Sequence, residues 1–538
     1  MINKNQIPKD GIAGLKEYWK TDAVSGFLVF LLALPLSLGI AKASDFPAIY
    51  GLVTAIIGGI VVSFFAGSLL TIKGPAAGLI VICSGAVAAF GGTDSTLGWH
   101  LALGAAVVAG VIQVLFGVFK LGKLSDFFPG AAIHGMLAAI GIIIMSKQVH
   151  NLLGISPTLL KGKEPLELLA MIPESIASAN SHLTEIGVAC LAILIIFSLI
   201  KSKIIKSIPA PLVVLLVAVP LGIYLQVQME EPIQKFALIK VGDIMEKMKT
   251  QFINVDFSGM TSHPGEFIEY VILFSLIGSL ESLLTVKAID GLDPYKRASN
   301  TNKDLIAVGV GNIFSGILGG LPMISEVARS SANVSNGAKT RWANFFHGLF
   351  LLIAVLFAVP LIEMIPNTAL AAMLIFVGFK LAHPKEFVHM WHIGKEQFAV
   401  FVVTVMMTLS TDLLIGVGSG IVLEMLIYLF SGVSISELFK SHLTVNQIDG
   451  ETYQMKLEKT AMFSNLIDLR KQLTALPEKS HISLDVSGAK FIDHTTIVAL
   501  HEIQASFVLD GGIFNIIGLD KLRPVSNHDF ASRKAVKK

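Results

Sequence analysis

Five ionisable side chains lie within strongly apolar stretches of the sequence: Lys73, Glu281, Lys287, Glu326 and Arg329. A charged group is costly in an apolar environment, so residues of this kind mark functional sites by default. A guanidinium held there, such as that of Arg329, could supply a full positive charge for an anion. A buried ion pair with a glutamate, which only fixes helix packing, is the structural alternative. The two lysines could instead extend their ammonium groups to a polar boundary.

Glu281 lies in an apolar run that reads Gly-Ser-Leu-Glu-Ser-Leu-Leu-Thr over residues 278–285. A carboxylate among apolar residues could carry a proton. Thr285 follows one helical turn later on the same face, so the two side chains could instead bind Na⁺ through oxygen atoms. A purely structural pairing of Glu281 with a nearby cation is an equally open interpretation.

The sequence offers little support for enzyme chemistry. It contains no evident nucleophile–base pair and no metal cluster, and both cysteines, Cys83 and Cys190, lie in apolar runs. A disulfide scaffold and a structural metal site are therefore not expected. We predict a protein that is not an enzyme and that has no cofactor, with Na⁺ or H⁺ as a coupling ion.

The composition explains where these side chains lie. Of the 538 residues, 53% are hydrophobic and 15% charged, with a mean hydropathy of +0.71, whereas soluble proteins carry about 25% charged residues. A largely water-exposed surface is excluded. The net charge of +2 and the absence of clustered Lys and Arg also argue against nucleic acid as a partner. The lipid bilayer is the expected surrounding.

The apolar runs are long enough for membrane-spanning helices, which need about 20 residues each. Twelve clear segments lie between residues 23 and 431, and two shorter ones, 75–89 and 321–334, are interrupted by Gly, Pro or charge. Lys and Arg are concentrated in alternate loops, as the positive-inside rule requires for 14 crossings with both termini in the cytoplasm. We predict a multi-pass protein of the plasma (inner) membrane, with a cytoplasmic segment over 1–22 and a transmembrane domain over 23–431.

The two interrupted segments occupy matching places, third and tenth, if the chain is divided into seven plus seven segments over about 23–227 and 265–431. An odd number of crossings per half inverts the second half relative to the first. Paired, Gly/Pro-interrupted segments of this kind indicate the midplane site of a transporter.

The first interrupted segment reads Gly-Ser-Leu-Leu-Thr-Ile-Lys-Gly-Pro-Ala-Ala-Gly over residues 67–78. Its extended run would lead into a helix with Pro75 in the first turn. The second reads Gly-Gly-Leu-Pro-Met-Ile-Ser-Glu-Val-Ala-Arg-Ser-Ser over residues 319–331. Two half-helices would then direct free N–H groups toward each other at mid-membrane, which favours an anion. Kinked helices with a structural role are the alternative.

After residue 431 the sequence becomes ordinary and polar. The predicted elements are strands over 453–457, 482–486 and 512–517, a helix over 465–476, and a loop and helix over 491–505. Strands separated by helices predict a small parallel or mixed α/β domain within residues 440–538. Because this domain has no phosphate-binding loop and no catalytic set, we predict a binding or regulatory module.

Several motifs in one order resemble the SulP anion transporters. They are Asp22-Ala-Val-Ser-Gly26 with Leu34-Pro35, Pro47 and Gly51-Leu52; Glu281-Ser282 with Lys287; residues 302–312 (Asn-Lys-Asp-Leu-Ile-Ala-Val-Gly-Val-Gly-Asn); and Arg329-Ser330 with Gly337-Ala-Lys-Thr340. In the tail, Leu484-Asp-Val-Ser-Gly488 and Phe491-Ile-Asp-His-Thr-Thr496 resemble the STAS domain that usually follows.

The resemblance implies a seven-plus-seven inverted repeat of core and gate domains, elevator-type alternating access, and a homodimer with cytoplasmic STAS domains. It also implies an anion site built from Gly74, Pro75, Ala76 and Ala77 opposite Val327, Ala328 and Arg329.

The same resemblance maps the acidic residue of the eighth segment onto Glu281, with Lys73, Ser325 and Glu326 as secondary candidates. The chain departs from the family pattern at three places near this site, one of which is the unusual Lys73, a cation ahead of Gly74-Pro75. Leu36 replaces a frequent Gln, and Ala328 replaces a frequent Ser. Both changes remove side-chain donors, so backbone amides and Arg329 would do more of the recognition.

Together these features predict a secondary active transporter of a small inorganic anion, bicarbonate or sulfate, driven by Na⁺ or H⁺. A Na⁺-dependent bicarbonate system is favoured, because the Glu281–Thr285 pair suits a cation and the site is poor in side-chain donors. A nucleobase permease of similar architecture is one alternative, although Arg329 argues against it. The other is a membrane-anchored signalling scaffold that acts through a cytoplasmic partner of its STAS domain.

Overall fold

The computed structural model describes residues 7–122, 128–160, 163–200, 208–227, 237–240, 255–295, 297–477, 479–509 and 511–535. Its contacts divide the chain into two compact units. The first unit comprises Met1–Gly122 and Ile140–Leu381, and the second comprises Lys123–Ala139 and Ala382–Lys538.

The described part of the first unit is mostly α-helical. Its helices are α1 (Gly11–Ala43), α2 (Ile49–Ile60), α3 (Ile80–Gly91), α4 (Ser95–Val118), α5 (Gly130–Leu152, whose first ten residues are counted in the second unit), α6 (Pro157–Leu160), α7 (Pro165–Ala170), α8 (Ile172–Ala177), α9 (Ser181–Leu199), α10 (Ala210–Tyr224), α11 (Gly259–Ser262), α12 (Pro264–Leu292), α13 (Thr301–Ile317), α14 (Val327–Ser335), α15 (Trp342–Phe357), α16 (Val359–Ile362) and α17 (Asn367–Leu381).

The second unit combines apolar helices with a small α/β domain. Its helices are α18 (Pro384–Ile393), α19 (Lys395–Ser410), α20 (Leu413–Phe430), α21 (Leu466–Thr474) and α22 (His494–Leu509).

Six helices among the described residues are long and apolar enough to cross a membrane: α1, α4, α5, α9, α12 and α20. Shorter apolar helices accompany them, including α10 and α15. The architecture is therefore that of a polytopic helical membrane protein, as the composition predicted. The number of 14 crossings and the domain boundaries stay predictions.

Two short extended segments cross inside the first unit, at the places where the sequence is interrupted. β1 (Ile72–Pro75) and β2 (Met323–Glu326) pair antiparallel, with Gly74 opposite Ile324. Each strand leads into a short helix, β1 into α3 and β2 into α14. Segments more than two hundred residues apart are thus joined by backbone hydrogen bonds.

Extended backbone in an apolar environment needs a partner for every N–H group. Four side chains from four different helices accept hydrogen bonds from the two strands. The N–H groups of Ile72, Lys73, Met323 and Ser325 donate to the side chains of Ser330, Asn344, Asn312 and Ser282, respectively. These polar residues explain how extended chain is tolerated among membrane helices.

The helix after β1 begins later than the sequence predicted. Pro75 is the last residue of β1, Ala76 is still extended, and a short 3₁₀ turn, Ala77–Leu79, leads into α3. The prediction that Pro75 lies in the first helical turn is therefore wrong. The fixed φ of proline also suits extended backbone, and proline has no N–H group to leave unpaired. Pairing of Pro75 with Met323 keeps this residue in the strand.

The α/β domain of the second unit agrees with the predicted tail. A four-stranded sheet has the order β3–β4–β6–β8, in which β3 and β4 are antiparallel and the other neighbours are parallel. The strands of this sheet are β3 (Leu443–Gln447), β4 (Thr452–Leu457), β6 (His481–Asp485) and β8 (Ile513–Ile517). Four shorter strands lie outside it: β5 (Thr460–Ala461), β7 (Phe491–Ile492), β9 (Arg523–Pro524) and β10 (Arg533–Lys534). The antiparallel edge strand β3 was not predicted.

Apolar side chains at alternate positions of the strands form the core of this domain. Met455 and Leu457 on β4, Ile482 and Leu484 on β6 and Phe514 on β8 are all buried. Every second side chain of a strand points to the same face, so these five side chains share one side of the sheet. The α/β domain therefore has a hydrophobic core of its own.

Candidate functional site

The two helix N-termini that follow the crossing strands differ in their capping. The first turn of α14 is capped, because the carboxylate of Glu326 accepts the N–H of Arg329 at 2.7 Å. The turn that opens α3 has no side-chain cap at either Ala76 or Leu79. The positive end of α3 is thus left to other acceptors, whereas that of α14 is already partly neutralised by a carboxylate.

Arg329 lies across β1 with its side chain fully buried. Its Nη2 donates to the carbonyl oxygen of Pro75 at 3.3 Å. A Cβ atom on Gly74 would lie 2.6 Å from Nη1, so only glycine leaves room for the guanidinium here. Nε and Nη1 have no hydrogen-bond partner among the described residues. Buried donors without acceptors are costly, and an anion would satisfy them.

The other predicted members of the anion site lie around this guanidinium. Gly74, Pro75, Ala76 and Ala77 are buried along β1 and the following turn. Val327 is 50% exposed, and Ala328 is exposed as well, although Arg329 and Ser330 beside them are buried. The first turn of α14 therefore presents two apolar side chains to open space next to the arginine.

Glu281 lies against the 3₁₀ turn that leads into α3. A Cβ atom on Gly78 would lie 2.2 Å from either carboxylate oxygen, so glycine is required for the carboxylate to lie here. The Oε1 atom has no hydrogen-bond partner in the described part of the chain. Thr285, one turn further along α12, is also buried. The structure thus brings the predicted coupling residue Glu281 to the same half-helix that would face the anion.

Lys73 does not extend to a polar boundary, as the sequence had suggested. Its side chain is fully buried, and Nζ lies 2.9 Å from Oδ1 of Asp304 and donates a hydrogen bond to Thr71 Oγ1. The boundary interpretation of Lys73 is therefore wrong. The reason is a buried carboxylate on α13, which provides the lysine with a partner inside the protein. Lys287 is half-buried on α12.

Asp304 is the residue that the sequence analysis missed. Its Oδ1 also accepts the N–H groups of Gly67 and Ser68, at 3.1 and 3.0 Å, and its Oδ2 accepts the hydroxyl of Ser325 at 3.2 Å. One carboxylate thus holds the segment before β1 and a side chain of β2. Asp304 follows Lys303 at the start of an apolar run, where charged residues of a polar loop are also found. Its only signal in the sequence is therefore its place in the 302–312 motif.

Ser325 and Glu326, the remaining secondary candidates, have structural partners. Besides its bond to Asp304, Ser325 donates its backbone N–H to Ser282, the neighbour of Glu281. Glu326 caps α14, and its Oε2 lies 3.9 Å from Nε of Arg329. The packing alternative for Arg329, an ion pair with Glu326, is therefore present only as a long contact, and Nε and Nη1 of the arginine have no hydrogen-bond partner in the described part of the chain.

Among the described residues, no group of three or more His, Cys, Asp or Glu side chains could hold a metal ion. His347 on α15 is fully buried, and neither ring nitrogen has a hydrogen-bond partner in the same part of the chain.

Comparisons with known proteins agree with this architecture. The model of the sulfate permease family matches residues 19–404. The putative sulfate transporter YvdB of Bacillus subtilis is 26% identical over 510 residues, 93% of this chain and 92% of the relative. The bicarbonate transporter BicA of Picosynechococcus is 27% identical over 403 residues, 74% of this chain and 68% of the relative.

A solved structure shows the same fold. The murine solute carrier 26 family member A9, an anion transporter in the inward-facing state, matches with a TM-score of 0.64 at 16% identity, over 93% of this chain and 86% of that chain. The family model covers well over half of the sequence. The chain, with its two interrupted segments and its α/β tail, therefore belongs to the sulfate permease family, a family of membrane transporters rather than enzymes.

Proposed function

We propose that this protein is a secondary active transporter that carries a small inorganic anion, with bicarbonate preferred to sulfate. The observation that carries the proposal is the buried guanidinium of Arg329, in which two of the three nitrogens have no hydrogen-bond partner among the described residues. It lies over Gly74, close to the uncapped 3₁₀ turn that leads into α3. A guanidinium and a helix N-terminus together supply the charge and the donors that bind an oxyanion.

The charges around the crossing favour a monovalent anion. Lys73 is neutralised by Asp304, which leaves the charge of Arg329 to attract the substrate. Leu36 and Ala328 contribute no side-chain donors. A divalent sulfate would require more positive charge and more donors than bicarbonate to offset the loss of its hydration. Relatives of this chain include both a putative sulfate transporter and a bicarbonate transporter, so both anions belong in the experiment.

Glu281 is proposed to couple anion transport to H⁺ or Na⁺. Its carboxylate lies against Gly78, in the turn that would face the anion. A negative charge there repels the substrate, because two like charges interact strongly in a poorly hydrated site. Binding of a proton, or of Na⁺ with the help of Thr285, removes this repulsion. The affinities for cation and anion then rise together, as linkage requires.

The pairing of β1 with β2 supports an elevator-type motion. The backbone bonds and the four side chains that accept from these strands hold both half-helices together. The anion site would therefore move as one body. We further propose a homodimer in the plasma (inner) membrane with cytoplasmic termini, and an α/β domain that binds a cytoplasmic partner; the resemblance and the distribution of basic loops support these proposals.

The test is uptake of labelled bicarbonate and labelled sulfate into proteoliposomes, with Na⁺ and pH gradients imposed separately. We expect bicarbonate uptake that one of the two gradients stimulates. Arg329→Ala is expected to abolish uptake, whereas Arg523→Ala, which changes an exposed arginine of β9, is expected to leave it unchanged. Absence of uptake of either anion under every gradient would refute the proposal.

Two further experiments separate the alternatives, one on the proteoliposomes and one in cells. Competition by uracil but not by anions would indicate a nucleobase permease. A cellular phenotype that survives Arg329→Ala but is lost on deletion of residues 440–538 would indicate a signalling scaffold.

A further inference from the structure

The ammonium group of Lys73 lies among oxygen atoms. Its Nζ contacts Oδ1 of Asp304 at 2.9 Å and the hydroxyl of Thr71. The hydroxyl of Ser325 binds the other oxygen of the same carboxylate and so fixes its orientation. All four side chains are at most 2% exposed. A carboxylate and a hydroxyl in a buried site are also the groups that bind a small inorganic cation.

Asp304 needs a positive charge at this position. Its carboxylate accepts hydrogen bonds from two backbone N–H groups and from the hydroxyl of Ser325. These donors stabilise the carboxylate, but they are neutral and do not cancel its negative charge. An uncompensated charge in a buried site is strongly unfavourable. Lys73 supplies the missing charge from a side chain, so no free ion has to be bound.

The same charge acts on the anion site. Lys73 immediately precedes Gly74, over which the guanidinium of Arg329 lies, and in the β1–β2 pair it lies opposite Ser325. Loss of the cation would leave a bare carboxylate next to the anion site and would weaken the attachment of both strands. The charge at this position therefore affects both the geometry and the potential of the site.

We propose that the ammonium group of Lys73 is a tethered replacement for a free monovalent cation, in a cation site formed by Asp304 and Thr71. Anion transport by this chain then needs no Na⁺ at Asp304, and Glu281 is left as the exchangeable cation site. Removal of the lysine side chain is expected to turn the position into a Na⁺ site. The effect on transport rests on the proposed function, whereas the cation site itself does not.

Cation binding is measured first, by thermal unfolding of the purified full chain in NaCl or choline chloride at equal ionic strength. All variants carry Glu281→Gln, so that the proposed exchangeable site does not contribute. With Lys73 present, we expect the same Tm in both salts. With Lys73→Ala, we expect Tm to rise saturably with the Na⁺ concentration, because a ligand that binds only the folded state stabilises it. Adding Asp304→Asn should abolish this rise.

Transport is measured next, with Glu281 intact. Lys73→Ala is expected to lower bicarbonate uptake in choline by at least about tenfold, since breaking a buried ion pair is strongly destabilising. Methylammonium should restore part of the uptake, because it returns an ammonium group to the vacated space. Lys73→Met is the matched control: it removes the charge but fills the space, so methylammonium should not restore uptake.

The outcomes are separable. If the unaltered chain transports neither anion, the proposed function fails, and the unfolding experiment still decides the cation site. If Lys73→Ala does not fold, Lys73→Ser takes its place, since it also vacates the space and adds an oxygen ligand. The inference is overturned if Na⁺ raises the Tm of neither Lys73→Ala nor Lys73→Ser. It is also overturned if the rise in Tm persists when Asp304→Asn is added.

Discussion

The hydroxyl group of Tyr428 lies 2.6 Å from a carboxylate oxygen of Asp493, so a residue of α20 is bonded to the residue that caps α22. The same hydroxyl lies 2.6 Å from Oε1 of Glu424, one turn earlier on α20. All three side chains are buried. Within the second unit, an apolar helix and the α/β domain thus share one hydroxyl group.

The hydrogen bonds that join Tyr428 to Glu424 and Asp493 form a junction between α20 and the α/β domain. Tyr428→Phe tests the strength of this junction. The change removes one oxygen atom and leaves two buried carboxyl groups without that partner. Loss of a buried hydrogen bond of this kind is expected to lower the free energy of unfolding by about 1–3 kcal/mol. The measurement is thermal unfolding of the purified chain, followed by limited proteolysis of the α/β domain. Tyr224→Phe, at an 81% exposed tyrosine, is the control and should change neither result.

The junction should also respond to pH, because one hydroxyl hydrogen can serve only one of the two 2.6 Å contacts. Burial raises the pKa of Asp493, although hydrogen bonds from Tyr428 and Thr496 oppose this effect. The folded protein therefore holds the proton more tightly than the unfolded chain. Stability from this group is present at low pH and is lost as the pH rises through the folded-state pKa.

Asp493→Asn is expected to flatten this dependence, because asparagine needs no proton and still caps a helix. The measurement is the Tm from about pH 4, near the ordinary pKa of an aspartate, to about pH 9. Asp485→Asn is the control, since hydrogen bonds from Ser487 hold the pKa of Asp485 below its usual value. An unaltered slope in Asp493→Asn would contradict the interpretation.

Gly74→Ala tests the position of Arg329. The added Cβ would lie 2.6 Å from Nη1, so the guanidinium has to move away from β1. We expect bicarbonate uptake to fall by at least about tenfold, which corresponds to about 1.4 kcal/mol of lost binding. Gly418→Ala is the matched control, because nothing lies within 4 Å of a Cβ at that helical position. Equal uptake by the two variants would show that the guanidinium does not need its place over β1.

Gly78→Ala tests the position of Glu281. A Cβ here would lie 2.2 Å from both carboxylate oxygens and would displace the carboxylate from the 3₁₀ turn that leads into α3. The anion donors remain, so we expect exchange of labelled for unlabelled bicarbonate to persist. Stimulation of uptake by a Na⁺ or pH gradient should be lost. If the gradient still stimulates uptake as strongly as in Gly418→Ala, Glu281 does not couple from this position.

The sequence by itself determined the features that depend on local composition. Scarcity of charge indicated membrane helices, and the Gly and Pro residues around Lys73 and Pro322 marked the two interrupted segments. An arginine and a glutamate in apolar runs stood out because their burial is costly wherever the chain takes them. Alternating residues of the tail likewise predicted its strands, because the period of two is a local property.

Only the tertiary structure decided which of these groups meet. Lys73 and Asp304 are separated by 231 residues, and nothing in their local sequence shows that they form an ion pair. The same holds for Gly78 and Glu281, and for Tyr428 and Asp493. A hydrogen bond or an ion pair depends on a distance of about 3 Å, and the packing of distant helices sets that distance. The sequence therefore identified the charges, while the fold decided that Lys73 is neutralised and that Arg329 keeps donors without a partner among the described residues.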